Sequence, residues 1–286
     1  MLHKNAILAM LATATAAIAV PASADTGDRA THFNGFYIGA GGGFDMQNAN
    51  NGQSVVFDTD RNGTYDNTVP LVAGAGNAFA PGFCPGRATS TTPATGCRGD
   101  KDAGEFFGKV GYDRRMGNFV IGGVLEGGKT YAKDFVSAFS QTNAGATTNF
   151  YTLERGVDWS GSARLRAGYT PNGGVLFYVT GGGTYAKMKN RFYTSNGANS
   201  FAQSGKNHAW GYQAGGGIEA MVTSKVSIGL EYLYTDIDDD KSYIAVGQGS
   251  ALPTHPFVQT SGGTNLRGSD QSFNYHAVRG SVNFRF

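Results

Sequence analysis

The sequence has few charged residues, little net charge and few long apolar runs. Charged side chains make up 15% of the 286 residues, against roughly 25% in an ordinary soluble domain. The formal net charge is only +2, which argues against a nucleic-acid-binding protein because such proteins need a basic face. Beyond the N-terminus no apolar run is long enough for a membrane-spanning helix, so a multi-span helical membrane protein is excluded.

Glycine and aromatic residues, in contrast, are abundant. The 44 glycines are about twice the usual share, and they lack the G-X-Y period of collagen. Aromatic residues make up 12% of the chain, which excludes a disordered linker because such segments are poor in aromatics.

The N-terminus has the features of a secretory signal peptide. Lys4 supplies the positive charge, residues 6–20 form a short apolar run, and Ala22-Ser23-Ala24 is a cleavage site of the A-x-A type. A membrane anchor helix is less favoured because the run is short and rich in alanine. We therefore expect a signal peptide over residues 1–24 and an exported mature domain over residues 25–286.

The chain has only two cysteines, Cys84 and Cys97, in a stretch rich in Gly, Pro and Thr. Disulfides persist in exported proteins, and a bridge over so short a loop stabilises the fold by roughly 3 kcal/mol. A zinc site is disfavoured because no further Cys or His stands at ligand spacing. We expect a local disulfide.

Alternation of apolar and polar residues is the main pattern after the signal peptide. It predicts β-strands rather than helices, because successive side chains of a strand point to opposite faces. The alternation occurs in eight blocks, at residues 35–46, 104–113, 118–131, 157–169, 175–188, 209–222, 226–236 and 272–286.

The connections between these blocks alternate in length. Three are tight turns, at residues 114–117, 170–174 and 223–225, and four are long, at residues 47–103, 136–156, 190–208 and 237–271. Long structureless loops are unusual in compact soluble domains. They are typical of outer-membrane barrels, which have short periplasmic turns and long extracellular loops. The predicted fold is therefore all-β, an eight-stranded antiparallel up-and-down transmembrane β-barrel in the outer membrane of a Gram-negative bacterium.

The position of the charges indicates which face of each strand points outward. Alternation alone also permits a lipocalin-type barrel with an apolar interior. The polar face, however, carries charge in mid-strand, and the apolar face carries aromatics near strand ends, as at two membrane interfaces. We expect the charges to form an interior ion-pair network in which glutamates lie near arginines, comprising Lys109, Glu126, Arg164, Arg166, Glu219, Glu231 and Arg279.

Three glycine triplets fall inside predicted strands, at residues 41–43, 181–183 and 215–217. A phosphate-binding loop would join a strand to a helix, and no helix is predicted after any of them. Small residues make room for long interior side chains in a narrow barrel, and this is the interpretation that we favour.

Several segments, taken together, resemble the small alphaproteobacterial outer-membrane β-barrel proteins of the porin family, which are related in architecture to the OmpA transmembrane domain. The resemblance is carried by residues 33–39, 159–169, 177–182, 210–219, 230–234 and 276–286. It implies an eight-stranded barrel delivered by the barrel-assembly machinery, which recognises a last strand ending in Phe286. The first long loop, with its cysteine pair, departs from the family pattern.

One segment has the spacing of a calcium-binding loop. Asp58, Asp60, Asn62 and Asp66 match ligand positions of such a loop, but Val69 stands where the bidentate glutamate belongs. The alternative is an Asx-turn loop in solvent. Weak calcium binding is the only cofactor prediction that the sequence supports.

The sequence predicts a structural role in envelope integrity together with surface interaction. A narrow porin-like channel for small solutes and a surface adhesin or ligand receptor acting through the long loops are the alternatives. No nucleophile elbow or H-E-x-x-H motif is present, so no enzyme is predicted. The expected partners are outer-membrane lipid and lipopolysaccharide. A cation bridge could join the lipopolysaccharide phosphates to the acidic run at residues 236–240; the alternative is that this run is a solvated loop, as charge runs usually are.

Overall fold

The structure, a computed structural model, describes residues 31–47, 52–72, 76–141 and 148–286. The predicted signal peptide therefore lies outside the described residues. No helix in this part of the chain is long and apolar enough to cross a membrane. The described residues form one 3₁₀ turn (Pro93–Thr95) and the strands β1 (Gly35–Gln47), β2 (Val55–Asp58), β3 (Gly82–Pro85), β4 (Arg87–Ala88), β5 (Cys97–Arg98), β6 (Ala103–Met116), β7 (Phe119–Thr130), β8 (Lys133–Gln141), β9 (Thr148–Tyr169), β10 (Val175–Met188), β11 (Arg191–Thr194), β12 (Ser200–Gly205), β13 (His208–Met221), β14 (Val226–Asp238), β15 (Ser242–Gly247), β16 (Thr264–Gly268) and β17 (Ser272–Arg285).

Eight of the strands in the described residues close into an antiparallel barrel. In order around the barrel they are β1, β6, β7, β9, β10, β13, β14 and β17. The last strand returns to the first, with Tyr37 opposite Arg285 and Gln47 opposite Tyr275. The ring of eight strands therefore has no free edge, and the backbone of the barrel wall pairs between neighbouring strands all the way around. The predicted eight-stranded up-and-down barrel is confirmed.

The alternation along each strand sets which side chains point outward. On β9 the Leu165 side chain is 74% exposed, whereas its neighbours Arg164 and Arg166 are 3% and 4% exposed. The same pattern repeats around the barrel, so the outer wall is apolar and the interior is polar. The lipocalin-type arrangement is thereby excluded.

Aromatic side chains mark both ends of the apolar outer wall. Phe177 and Tyr185 lie eight positions apart on β10, about 26 Å along a strand and about 20 Å along the axis of a barrel tilted by about 40°. At the end that carries the long connections, Tyr185 packs between Trp159 and Trp210, with ring centroids at 6.0 and 4.8 Å. Two such aromatic levels are the expected anchors at the two faces of a bilayer.

Short turns join the barrel strands at one end, which we call the turn end. Gly117 and Gly173 adopt positive φ values of 62° and 71°, a conformation that favours glycine, and each lies within a turn. The predicted turn at residues 114–117 is too long by three residues, since Arg114–Met116 continue β6. Backbone hydrogen bonds to β7 extend β6 through these residues, although apolar and polar residues no longer alternate clearly there.

The four long connections are folded at the opposite, loop end of the barrel. We call this folded part the cap. It contains β2–β5, β8, β11, β12, β15, β16 and the first part of β9. A four-stranded sheet runs β12-β15-β16-β2, and β8 pairs with the extension of β9, Thr148–Gly156. The prediction that residues 136–156 form a loop is therefore wrong for every described residue of this segment, because all of them lie in β8 or β9.

The cap has its own hydrophobic core, separate from the barrel. Phe79 lies near its centre, with ring centroids 4.3 Å from Phe57, 5.5 Å from Tyr151 and 5.7 Å from Phe257. All four long connections contribute to this core, which comprises Val55, Phe57, Val69, Leu71, Ala78, Phe79, Val136, Ala138, Tyr151, Ile244, Val246, Phe257, Val258 and Leu266, with Leu153, Phe192 and Phe201 against it. Because each connection supplies part of one core, the loops hold one another in place.

Candidate functional site

The turn end of the barrel interior is filled by four charged side chains, which we call the turn-end network. Arg166 donates from Nε to Asp113 Oδ1 at 2.7 Å and from Nη1 to Glu219 Oε2 at 2.9 Å. Arg285 donates from Nη1 to the same aspartate at 3.0 Å and from Nη2 to the same glutamate at 2.6 Å. Two arginines and two carboxylates, each at most 5% exposed, thus form a closed and neutral ring.

A second ion-pair cluster, the mid-barrel network, lies closer to the loop end. Arg164 Nη2 donates to Glu126 Oε2 at 2.8 Å, and its Nη1 lies 3.5 Å from Glu231 Oε1. Arg279 pairs with the same two glutamates and, at 3.6 Å, with Glu105. Four strands besides β9 therefore supply charge to one cluster, which ties opposite walls of the barrel together.

Tyrosine side chains join the two networks. The Tyr178 hydroxyl donates to Glu231 Oε2 at 2.9 Å, while its ring lies 5.1 Å from Arg166 Cζ. The Tyr37 ring lies 4.8 Å from the guanidinium carbons of both Arg166 and Arg285. Charged and aromatic side chains thus fill the interior in continuous layers, as expected for a barrel of eight strands.

Glycines in the wall make room for these large interior groups. A Cβ atom at Gly43 would lie 2.8 Å from the Arg279 Cβ, and one at Gly217 would lie 2.8 Å from the Tyr178 hydroxyl. Both distances are shorter than a carbon atom tolerates, and each Cβ would also lie within 2.7 Å of a carbonyl oxygen of the neighbouring strand, so a larger residue would disturb both the interior side chain and the barrel wall. The two glycines belong to the predicted triplets at residues 41–43 and 215–217, and their packing agrees with the interpretation given above.

The structure brings together six of the seven side chains predicted for the interior network. Lys109 is also interior, but its Nζ donates to Ser281 Oγ at 3.1 Å rather than pairing with a carboxylate. Sequence reasoning missed three partners, Glu105, Asp113 and Arg285. All three lie on the polar face of an alternating strand, so the signal that identified the others applies to them as well.

The cysteines are joined by the predicted disulfide. Cys84 lies on β3 and Cys97 on β5, with 6.3 Å between their Cα atoms. The strand β3 pairs with β8, and β5 pairs with β4. The disulfide therefore fastens the small β4–β5 hairpin to β3, which lies at the edge of the sheet that β8 and β9 extend from the barrel.

The predicted calcium segment has the hydrogen bonding of an Asx-turn loop. Asp58 accepts from the backbone amides of Asn62 at 3.0 Å and Gly63 at 3.1 Å, and Asp60 accepts from the Asn62 side-chain amide at 2.9 Å. Asp66 instead accepts from the Asn67 side-chain amide at 3.1 Å. No cluster of three or more acidic, cysteine or histidine side chains placed for a metal ion occurs in the described part of the chain. These contacts describe a loop built on Asx turns, and weak calcium binding there stays a prediction.

Two other predicted features have clear positions in the fold. Phe286 is 71% exposed on the outer wall at the turn end, and its backbone amide donates to the Phe36 carbonyl at 3.0 Å. In the acidic run, the Asp236 carboxylate accepts from the Tyr234 hydroxyl at 3.2 Å, whereas Asp239 is buried. The run is therefore not a uniformly solvated loop.

A largely buried arginine of the cap, with a side chain that is 13% exposed, links β8 to the connection that precedes β17. Arg155 donates from Nε to Asp134 Oδ2 and from Nη1 to the Asp270 carbonyl, both at 2.9 Å. Nearby, Asp100 accepts a hydrogen bond from the Phe135 backbone amide at 2.9 Å. Burial, aided by the neighbouring Asp134 carboxylate, raises the pKa of Asp100 to about 7.

This raised pKa predicts that the cap loses stability as the pH rises from 6 to 8. Between its ordinary pKa and about 7, the Asp100 carboxyl keeps a proton in the folded chain that the unfolded chain has released, so folding is favoured there and the advantage disappears as the pH passes 7. We expect a lower melting temperature at pH 8 than at pH 6 in detergent. Asp100→Asn should remove most of that difference, and an unchanged difference would contradict the assignment.

Comparison with known proteins agrees with this architecture. The family model of the outer membrane protein beta-barrel domain matches residues 10–286. The 31 kDa outer-membrane immunogenic protein of Brucella melitensis biotype 1 is 30% identical over 202 residues, covering 65% of this chain and 69% of that protein. The 22 kDa outer membrane protein of Rhizobium leguminosarum bv. viciae is 34% identical over 139 residues, 48% of this chain and 55% of that protein. Among solved structures, OprG from Pseudomonas aeruginosa aligns with 89% of this chain and 98% of its own, at 11% identity and a TM-score of 0.44.

Proposed function

The chain belongs to the outer membrane protein β-barrel domain family, and from that premise we propose that it is a closed, non-catalytic barrel that strengthens the outer membrane and presents a folded cap for surface interaction. The observation that carries the proposal is the filled interior. Two ion-pair networks cross the barrel, and the cap packs its own core above them.

The side chains that fill the barrel interior favour a structural role over a narrow channel. An open solute pathway needs a wider barrel, since porins with water-filled channels have about sixteen strands. Here Arg279 and Arg164 bridge to the same glutamates across the interior. Moving them aside would break buried ion pairs and leave charges without partners, which is costly in a low-dielectric interior.

Conductance measurements test this proposal. The mature protein, reconstituted in a planar bilayer, should give no discrete current steps at a salt concentration where a sixteen-stranded porin in the same membrane gives clear ones. Heat-modifiable gel migration of the same sample must show that the barrel is folded. Steps approaching those of the porin would overturn the structural assignment in favour of the channel.

The cap supports the second part of the proposal. Surface recognition works best from a scaffold that holds its contact residues in place, because less conformational entropy is then lost on binding. Four connections that share one hydrophobic core provide such a scaffold. Deletion of residues 52–102 should abolish any recognition by cap-specific antibodies on whole cells while leaving gel migration of the barrel intact.

A further inference from the structure

Basic side chains gather on one sector of the barrel, where the outer wall meets the cap. They come from the loop ends of β7 and β10, from the first residues of β8 and β11, and from one of the two residues between β10 and β11. We call this group the basic rim, and it consists of Lys129, Lys133, Lys187, Lys189 and Arg191.

The basic rim lies at the level of the outer-leaflet headgroups. Lys129 is ten positions beyond Phe119 on β7, and Lys187 is ten positions beyond Phe177 on β10. Ten residues extend about 33 Å along a strand, or about 25 Å along the axis at a tilt of about 40°, which equals the height of the apolar band of such barrels. Both phenylalanines are exposed at the turn end of that band, so both lysines lie just above its other edge.

Two carboxylates lie among these five cations, and they leave an excess of positive charge. Asp158 is 3.5 Å from Lys129 Nζ and 3.6 Å from Lys187 Nζ. It lies at an irregularity in the pairing of β9 with β10, where Lys187 is opposite Trp159 and the next residue is opposite Val157. Such a bulge turns its extra residue out of the regular alternation. Glu154 likewise pairs with Lys133 at 2.5 Å and with Arg191 at 3.7 Å.

The space between these side chains has room for an anionic group. A cavity of about 220 Å³ is lined by Lys129, Lys133, Lys189 and Arg191 among others. Lys187 and Lys189 also line a neighbouring cavity of about 480 Å³. The cations therefore surround spaces that open beside the membrane surface, rather than being dispersed over the cap.

The outer wall beside and just below the basic rim suits lipid chains. Trp159, opposite Lys187, and Trp210, opposite Tyr185, are 44% and 70% exposed, and both pack against Tyr185. Indole rings favour the boundary between headgroups and hydrocarbon. A ligand at this place thus meets positive charge at headgroup level and an aromatic, apolar wall that begins beside this charge and continues below it.

We propose that the basic rim binds the phosphorylated headgroup of an outer-leaflet glycolipid, lipopolysaccharide, with its acyl chains lying against the wall below. The phosphates pair with the lysine ammonium groups, and the Trp159 side of the barrel contacts the chains. This site is independent of whether the barrel conducts, and it does not involve the acidic run at residues 236–240.

The two tryptophans of the chain provide the measurement, because Trp159 lies beside the basic rim, opposite Lys187, and Trp210 lies just below it, opposite Tyr185. The mature protein, folded in detergent with EDTA, is titrated with bisphosphorylated lipid A while tryptophan fluorescence is recorded. We expect the double variant Lys129→Gln/Lys187→Gln to bind about tenfold more weakly, since each basic residue near an anionic membrane surface contributes measurably to binding. The matched control is Arg114→Gln/Lys225→Gln, which removes two exposed cations at the turn end and should change affinity by less than twofold.

Two further titrations make the proposal decisive. Asp158→Asn should tighten lipid A binding about threefold, because it removes a carboxylate that competes with the phosphates. Dephosphorylated lipid A should bind at least tenfold more weakly than the bisphosphorylated form. The proposed site would be wrong if the rim and control variants bound lipid A with equal affinity, or if the protein bound the two forms of lipid A with equal affinity. Displacement of lipid A by millimolar inorganic phosphate would show a free-phosphate site instead and would also overturn the glycolipid assignment.

Discussion

Replacing Arg166 with methionine should lower the free energy of unfolding by about 3–5 kcal/mol, the loss expected when one partner of a buried ion pair is removed. The guanidinium of Arg166 is 4% exposed and hydrogen-bonds both Asp113 and Glu219. Without it, two carboxylates would share the single remaining arginine, Arg285. Urea unfolding of the barrel in lipid vesicles, followed by fluorescence and gel migration, measures the change.

Two controls separate the network from a general effect of losing an arginine. Arg114→Met removes an exposed arginine from the same end of the barrel and should change stability by less than about 1 kcal/mol. The quadruple variant Asp113→Asn/Arg166→Met/Glu219→Gln/Arg285→Met removes the whole charged ring and should recover at least half of the loss, because no buried charge is then left unpaired. A single variant as stable as the original chain would contradict the network's role.

The barrel strands could be predicted from the sequence because each has one face against apolar surroundings and one against the charged interior. Alternation is then strict, and the predicted block at residues 175–188 coincides with β10. The cap strands gave no such signal. Residues 134–140 of β8 are all buried, so both faces are covered and the period of two disappears. Strands of two to six residues, such as β4 and β12, are too short to show a period.

The interior charges were predictable as a set, but their pairing was not. Arg166 was expected near a glutamate, and it contacts Glu219, which lies two strands away around the barrel. Which side chains meet across the interior depends on the stagger of neighbouring strands, and no local sequence pattern reports this stagger. Asp113 is the last residue of a predicted strand. The sequence pattern does not show that its carboxylate pairs with Arg285 and so completes the turn-end network.

Aromatic side chains form the centre of the cap's hydrophobic core. Phe79→Ala should therefore destabilise the cap by about 3–5 kcal/mol, the usual cost of truncating a buried phenylalanine to alanine. Phe79 is 2% exposed and packs against Phe57, Tyr151 and Phe257. Because the barrel strands close independently of this core, heat-modifiable gel migration should be unchanged. Cleavage of the cap by trypsin in the detergent-folded protein should become at least tenfold faster, since local opening exposes the loops.

A matched variant in the same cap decides whether the effect comes from the core. Leu252 is a large apolar residue of the cap that is 73% exposed, so Leu252→Ala should leave the rate of cleavage within twofold of the original chain. If Phe79→Ala also left cleavage unchanged, the four connections would not depend on a shared core. If it abolished the gel shift as well, cap and barrel would fold as one cooperative unit, and the cap would contribute to the stability of the membrane-spanning wall itself.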